Sequence, residues 1–275
     1  MLTERMVDLH THSNASDGIF RPAKLLALAA KAGLKALGLT DHDTVKGLPE
    51  AFEAANKHSL ELVPGVEISI LEGAREIHIL GYYPSNTEYL HGELEDIREE
   101  RFERMDRIVD KLKKLGFKVN PEEVLAEAGD SAPGRLHLAR LLLRKKYVHS
   151  LNEAFSLYLN PDRRAYVPRR LMTLKRAMEL LAAVKAVRVI AHPGGLGEEI
   201  IDRLIPMGLQ GIEVFHPDHS AAQKQYYQQL ALARGLIVTG GSDFHGDREQ
   251  TARYPRYLAV ADHYLDGLKE IAFQA

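Results

Sequence analysis

Seven short apolar segments, each with a His, Asp or Glu at or beside one end, constrain the fold of this chain more than any other feature. They read VDLHTH (7–12), ALGLTDHD (36–43), LVPGVEIS (62–69), EIHILGYY (76–83), VIAHPGG (189–195), GIEVFHP (211–217) and IVTGGSDFH (237–245). Apolar runs of this length are typical of buried β-strands. The carboxyl ends of parallel strands in a barrel meet on one rim, where active sites lie. The pattern therefore predicts a barrel whose rim carries clustered imidazole and carboxylate groups.

These side chains favour a metal-dependent enzyme. Imidazole and carboxylate together suit Zn, Mn or Fe. The chain has no Cys, which excludes disulfides, a thiolate nucleophile and Cys-ligated zinc. A strand is expected within the first ten residues, which leaves no room for a signal peptide, and no run of 18 apolar residues occurs. We therefore expect a cytoplasmic protein that does not enter a membrane.

The order of strand and helix patterns predicts an α/β barrel interrupted by a helical insert. Strands and helices alternate up to about residue 85, with helices over 22–34 and 46–58, and the short connection before 76–83 predicts a hairpin with 62–69. The alternation resumes near residue 173. Further helices are expected over 173–184, 197–206 and 219–234. We expect the barrel over 1–90 and 170–275 and a helical cap with substrate contacts over 91–169.

The expected insert is basic in its second half. Its helices are predicted over 93–116, 121–129, 134–148 and 151–159. Residues 131–170 contain two acids, Glu153 and Asp162, and nine bases: Arg135, Arg140, Arg144, Lys145, Lys146, Arg163, Arg164, Arg169 and Arg170. Such a run indicates either a solvated helical face or a docking surface for an anionic substrate. The second interpretation is favoured if the metal site acts on phosphate.

Individual residues carry different weight. His10 and His12 lie on the same side of their strand, because side chains alternate with a period of two. Glu67 stands in an apolar strand, where an isolated carboxylate is costly and two bridged cations would remove that cost. The alternatives are that Glu67 faces solvent and that His78 is a hydrogen-bonded core residue. Acids beside His42 can orient its ring.

In chain order, the motifs HTH, TDHD, PGVEIS, IHILGY, AHPGG and GSDFH closely resemble the PHP (polymerase and histidinol phosphatase) superfamily over 6–83 and 187–246. The resemblance implies a distorted (βα)7 barrel of the PHP type with three clustered metal ions. It implies one ion on His10, His12, Glu67 and Asp243, a second on Glu67, His78 and His192, and a third on Asp17, His42 and His245. GRLHLAR (134–140) and RRAYVPRR (163–170) are similar to the insert of the stand-alone bacterial 3′,5′-nucleotide bisphosphate phosphatases and 5′-3′ exoribonucleases.

We therefore expect a phosphoesterase that acts on nucleotides or short single-stranded RNA ends. It would use metal-bound hydroxide positioned by Glu67, Asp17 and His42, with two to three divalent ions, manganese first and zinc, iron or magnesium as alternatives. Arg135, His137, Arg164 and His216 are the candidate substrate contacts. The competing hypotheses are a histidinol-phosphate phosphatase, an amidohydrolase acting on C–N bonds and a non-catalytic metal-stabilised module.

Overall fold

One mixed sheet forms the framework of the protein. The computed structural model describes residues 6–73, 75–129, 133–168, 171–246, 251 and 259–274, with the backbone alone at Ile97 and Arg98. The strands in these residues are β1 (Met6–Asp8), β2 (Ala36–Leu39), β3 (Glu61–Glu72), β4 (Arg75–Tyr82), β5 (Val187–Ile190), β6 (Gly211–Phe215), β7 (Ile237–Gly240) and β8 (Val260–Ala261). Their order across the sheet is β7-β6-β5-β4-β3-β2-β1-β8.

The strand directions differ from those of a purely parallel barrel. β1, β2 and β3 are parallel to one another, as are β5, β6 and β7, but β4 is antiparallel to both β3 and β5. The predicted hairpin is confirmed, with Glu72 opposite Arg75 at its turn. His78 therefore lies on a strand that is antiparallel to both of its neighbours. Because β4 runs in reverse, it is the beginning of this strand that reaches the rim.

The sheet curls until its two sides meet. Beyond the regular strands, Thr11 forms a parallel bridge with Phe244, and the Leu9 N–H donates to Gly240 O at 3.3 Å. These contacts join the β1 side of the sheet to β7. β8 adds to the outer edge of β1 in antiparallel pairing. The result is a nearly closed barrel, which confirms the predicted distorted α/β barrel.

Helices connect the strands close to the predicted positions. They are α1 (Pro22–Lys31), α2 (Leu48–His58), α3 (Thr87–Lys114), α4 (Pro121–Ala128), α5 (Arg135–Arg144), α6 (Leu151–Ala154), α7 (Leu174–Ala183), α8 (Glu198–Leu204), α9 (Ala221–Arg234) and α10 (His263–Gln274). α1 ends at Lys31, two residues before Gly33, which adopts φ +80°, outside the helical region. No helix in the described parts of the chain is both long and apolar enough to span a membrane.

The chain forms two compact units. One consists of Met1–Leu94 with Met172–Ala275, and the other of Glu95–Leu171. The second unit has its own apolar core, in which Leu138, Leu141 and Leu142 of α5 are fully buried. α6 continues as a π-helix over Phe155–Leu159, where the sequence pattern predicts an ordinary helix.

The apolar core of the first unit draws side chains from strands around the sheet and from α10. Val7, Leu80 and Val189 are fully buried in it, as are Leu265 and Leu268 of α10. α10 therefore packs against the barrel core rather than only covering an outer face. Each buried side chain of this kind stabilises the fold by about 1.5–3 kcal/mol relative to an exposed position.

Leu268→Ala tests the contribution of α10. Since Leu268 is fully buried, we expect the free energy of unfolding to fall by about 2–5 kcal/mol in urea denaturation. Leu232→Ala is the matched control, because Leu232 is 85% exposed and its loss changes stability by less than about 0.5 kcal/mol. Equal stability of the two variants would show that α10 does not contribute to the core.

Candidate metal centre

Backbone pairing beyond the ends of β1 and β7 brings four candidate residues together. Asp243 N–H donates to His10 O at 2.9 Å, and His12 N–H donates to Phe244 O at 2.9 Å. Side chains two residues apart on an extended segment share a side. His10 and His12 therefore face the same space as Asp243 and His245.

Two backbone features permit this approach. A Cβ on Gly241 would lie 2.4 Å from His10 Cβ, so only glycine fits there. Asp43, His192 and Asp243 have φ of 51°, 25° and 50°, a region that non-glycine residues rarely adopt. Such conformations cost of order 1–3 kcal/mol each and concentrate at functional sites. The backbone is thus shaped to bring side chains together at this rim.

Glu67 lies at the centre of the cluster and is fully buried. Its Oε2 lies 3.1 Å from His10 Nε2, 3.2 Å from His12 Nε2 and 3.1 Å from His42 Nδ1. Its Oε1 lies 2.8 Å from His78 Nδ1 and 3.0 Å from His192 Nε2. The two oxygens therefore face separate sets of imidazole nitrogens. A carboxylate in this arrangement can bridge two cations.

A further group lies beside this cluster. Single ligand atoms of His12, Asp17, His42 and His245 all fall within 4.8 Å of one another. His245 Nε2 lies 3.3 Å from Asp17 Oδ1, and His42 Nε2 lies 4.0 Å from Asp17 Oδ2. Two other groups have ligand atoms within 4.8 Å of one another: His10, His12, Glu67 and Asp243, and His42, Glu67 and His78. All nine metal candidates from the sequence thus converge.

Comparison with known proteins agrees with this geometry. The PHP domain model matches residues 8–158, more than half of the chain. The chain belongs to the PHP family. A 3′,5′-nucleoside bisphosphate phosphatase of Chromobacterium violaceum is 34% identical and aligns over 88% of each chain. A 5′-3′ exoribonuclease of Haemophilus influenzae is 33% identical, over 86% of this chain and 89% of the relative.

A solved structure extends the likeness to the fold. A crystal structure from Bifidobacterium adolescentis that carries the name metal-dependent phosphoesterase has a TM-score of 0.85 and 28% identity, covering 96% of both chains. This PHP chain is accordingly a metal-dependent hydrolase of phosphate esters, as the motifs predict. The relatives and the ligand geometry together indicate divalent metal ions as cofactors.

The nitrogen atoms of the PHP cluster fit a cation better than a hydrogen-bond network. His12 Nδ1 and His42 Nδ1 are buried and make no hydrogen bond in the described part of the chain. His42 Nδ1 nevertheless lies 3.1 Å from Glu67 Oε2. Close approach without hydrogen-bond geometry is expected of ligand atoms that point at a shared ion. Nitrogen and oxygen donors alone suit Mn, Zn or Fe.

The charges of the cluster also favour a cation. Burial would lower the pKa of His12, but hydrogen bonds and charge from Asp243 and Glu67 raise it to about 10. The pKa of His78 likewise rises to about 10 against the effect of burial, through Glu67 and Glu76. Ring protons therefore compensate the buried carboxylates when no ion is bound. A divalent cation would displace these protons and take over that role.

The two acids beside His42 in the sequence have roles that differ from the predicted one. Asp41 was expected to orient His42, but its carboxylate instead accepts hydrogen bonds from Ser13 N–H, Ser13 Oγ and Ser16 Oγ, each at 2.7 Å. It thereby fixes the loop that carries Asp17. Asp43, which was given the same role, accepts the Ser69 N–H at 2.8 Å.

Two buried acids in the strands were not identified from the sequence. Asp8 accepts the Ser242 N–H at 2.9 Å and the Ser242 Oγ hydroxyl at 2.6 Å, next to Asp243. Glu213 contacts His10 and His192. Both stand inside apolar strand segments, which is the signal that also marks Glu67.

His216 belongs to the cluster although it was expected only as a substrate contact. It is buried, its Nε2 lies 3.4 Å from Asp243 Oδ2, and its ring centroid lies 5.0 Å from that of His192. Its Nδ1 accepts the Asp218 N–H at 3.2 Å. A neutral His216 therefore carries its proton on Nε2, toward the cluster.

The other three substrate candidates lie in the helical unit. Arg135 donates from Nη1 to Leu159 O at 3.3 Å. His137 is buried and its Nδ1 accepts the Gly134 N–H at 3.1 Å, which caps the start of α5. Arg164 is exposed. Two further bases of the segment, Arg169 and Arg170, lie outside the described residues.

Asp41→Ala tests the support of the Asp17 loop. Three buried donors lose their acceptor, so we expect the free energy of unfolding of the metal-free protein to fall by roughly 2–4 kcal/mol in urea denaturation. Asp202→Ala is the control, because in the described part of the chain the Asp202 carboxylate forms only a surface ion pair, with Arg234, and its loss costs less than about 1 kcal/mol. If Asp41→Ala is no less stable than the control, these hydrogen bonds do not hold the loop.

Proposed function

We propose that this protein hydrolyses phosphate esters of nucleotides or of short RNA 5′ ends at a trinuclear metal site. One cation would be held by His10, His12, Glu67 and Asp243, a second by Glu67, His78 and His192, and a third by Asp17, His42 and His245. The division of the imidazoles between the two oxygens of Glu67 carries this proposal. Manganese is our first choice, with zinc, iron or magnesium as alternatives.

Divalent cations held there would lower the pKa of a water molecule and neutralise charge on the phosphoryl oxygens. The cations and their water would be positioned by three residues from different elements: Glu67 on β3, Asp17 in the loop after β1 and His42 in the loop after β2. A neutral His216 would carry its proton on Nε2, 3.4 Å from Asp243 Oδ2, and could donate a hydrogen bond from it to a phosphoryl oxygen. Because water would be the nucleophile, the proposed reaction needs no Ser or Cys nucleophile.

The names of the relatives supply the proposed substrate class. The Chromobacterium relative is a 3′,5′-nucleoside bisphosphate phosphatase and the Haemophilus relative is a 5′-3′ exoribonuclease. Both substrates carry more than one phosphate group, and the basic segment 131–170 suits them. We propose that this insert supplies phosphate contacts to the substrate.

Some bases of the segment suit this role better than others. Arg144 pairs with Glu127 at 2.8 Å and Lys145 with Glu123 at 2.6 Å, within the helical unit. Within the described residues, Arg135 donates from Nη1 to Leu159 O and lies over the Tyr166 ring, 5.8 Å from its centroid, which leaves most of its five N–H donors for a ligand. Arg135 and Arg164 are therefore the proposed phosphate contacts.

Glu67→Gln tests the metal site. The amide cannot accept on both sides of the cluster, so we expect Mn²⁺ binding to weaken strongly and phosphate release from 3′-phosphoadenosine 5′-phosphate and 5′-phosphorylated RNA to be lost. Glu72→Gln is the matched control, since Glu72 lies on the same strand and pairs only with surface Arg203 in the described residues. Activity of Glu67→Gln equal to that of Glu72→Gln would contradict the proposed site.

The same assay separates the candidate substrates. Relative rates on the bisphosphate and on RNA indicate which is preferred. Hydrolysis of histidinol phosphate, with neither nucleotide substrate cleaved by the Mn²⁺-loaded protein, would favour the small-molecule phosphatase. Hydrolysis of amides alone would favour the amidohydrolase.

Arg164→Ala tests the substrate contacts of the insert. Loss of a charge-assisted hydrogen bond to phosphate is expected to raise KM by about 10-fold or more, with kcat changed less. Arg144→Ala is the control, because Arg144 already pairs with Glu127. Steady-state kinetics that give the same KM for both variants would remove Arg164 from the proposed set.

A further inference from the structure

Glu213 is a buried carboxylate that contacts two of the proposed ligands. It lies in β6 and has no solvent exposure. Its Oε1 lies 2.9 Å from His10 Nδ1, and its Oε2 accepts the backbone N–H of His192 at 2.8 Å. Both of its hydrogen bonds in the described residues therefore go to candidate metal ligands. An isolated buried carboxylate is costly, so this position needs an explanation.

The chemistry of its two partners requires a carboxylate. His10 Nε2 faces the cluster, 3.1 Å from both Glu67 Oε2 and His12 Nε2. A ring that binds an ion through Nε2 carries its proton on Nδ1, so Nδ1 donates to Glu213. The amide of His192 is also a donor. A side chain between two donors must offer two acceptors, which Glu provides and Gln does not.

The two partners belong to different proposed cation positions. His10 is on the Oε2 side of Glu67, and His192 is on the Oε1 side. They lie on the extension of β1 and just after β5, far apart in the sequence. Glu213 thus contacts His10 and His192 on the side away from the cluster, through Nδ1 and the backbone N–H. Glu67 contacts the Nε2 atoms of the same two residues inside the cluster. His192 also has φ of 25°, a conformation that needs support from its surroundings.

We propose that Glu213 is a positioning residue that fixes the tautomer of His10 and the place of His192, and so holds the two neighbouring cation positions at a set spacing. This inference rests on the proposed function. Loss of the carboxylate would leave the nine ligands in place but remove the constraint between the two sides. A purely structural role would instead lower the stability of the metal-free protein and leave the metal affinity of the folded protein unchanged.

Glu213→Gln is the test, with Glu72→Gln as the same substitution at the surface. The NH₂ group of the new side chain must face one of two donors, either the His192 N–H or His10 Nδ1. We expect Mn²⁺ affinity in calorimetric titration to fall by about 10- to 100-fold, as for other groups that orient metal ligands. We also expect the spectrum of coupled Mn²⁺ ions in electron paramagnetic resonance to weaken. The melting temperature of the metal-free protein should also fall, because a buried donor loses its acceptor, so the titrations are done at a temperature at which every variant is folded.

The outcomes distinguish this inference from the proposed function. If wild type and Glu72→Gln bind no Mn²⁺, the proposed metal site fails. If they bind it and folded Glu213→Gln binds it with equal affinity and an unchanged spectrum, the role of Glu213 is overturned while the metal site stands. A lower affinity that disappears when the titration is done well below the melting temperature of the variant would also overturn it. Should Glu213→Gln not fold, Glu213→Asp, which is one methylene too short to reach both partners, is judged by the same criteria.

Discussion

A buried negative charge at Glu67 organises this protein. An ionised carboxylate without solvent is costly unless hydrogen-bond donors or positive charge surround it, and five imidazole rings lie within 3.2 Å of its two oxygens. Burial alone would raise the pKa of Glu67, yet its surroundings, His42 and His10 foremost, hold that pKa well below the usual range. The rings come from several strands and loops, so the charge of one residue ties together the rim of the barrel.

The fold supplies this arrangement through strand register. β3 continues past the rim, where Asp43 N–H donates to Glu67 O at 2.9 Å and sets His42 beside the carboxylate. On the other side of β3, the reversed strand β4 places His78 opposite Ser69, two residues beyond Glu67. A register shift of one residue would turn Glu67 and His78 to opposite faces. The backbone pairing that sets the register of the sheet therefore also places the side chains of the cluster.

The sequence identifies well the residues that converge at the rim, because each motif is local: an apolar run followed by His, Asp or Glu. It predicts long-range partners poorly. Glu213 and His10 are 203 residues apart, and Asp8 and Ser242 are 234 apart, so no spacing marks either pair. The motif TDHD identifies His42, but only the structure shows that Asp41 holds Ser13 and Ser16 rather than the ring. The short connection before β4 predicts its reversal against β3, but nothing in the sequence marks the antiparallel pairing of β4 with β5.

Backbone strain bears on the choice between a catalytic and a stabilising metal site. Metal binding to a structural site contributes directly to folding free energy, so such a site gains from relaxed ligands. Here the candidate ligands His192 and Asp243 have φ of 25° and 50°, and these backbone conformations cost free energy. Buried acids behind the ligands, Asp8 and Glu213, add a further cost that their hydrogen bonds offset. Strained backbone and buried acids at the rim therefore favour a catalytic metal site, which must hold a phosphate ester in one geometry, over a site that only stabilises the fold.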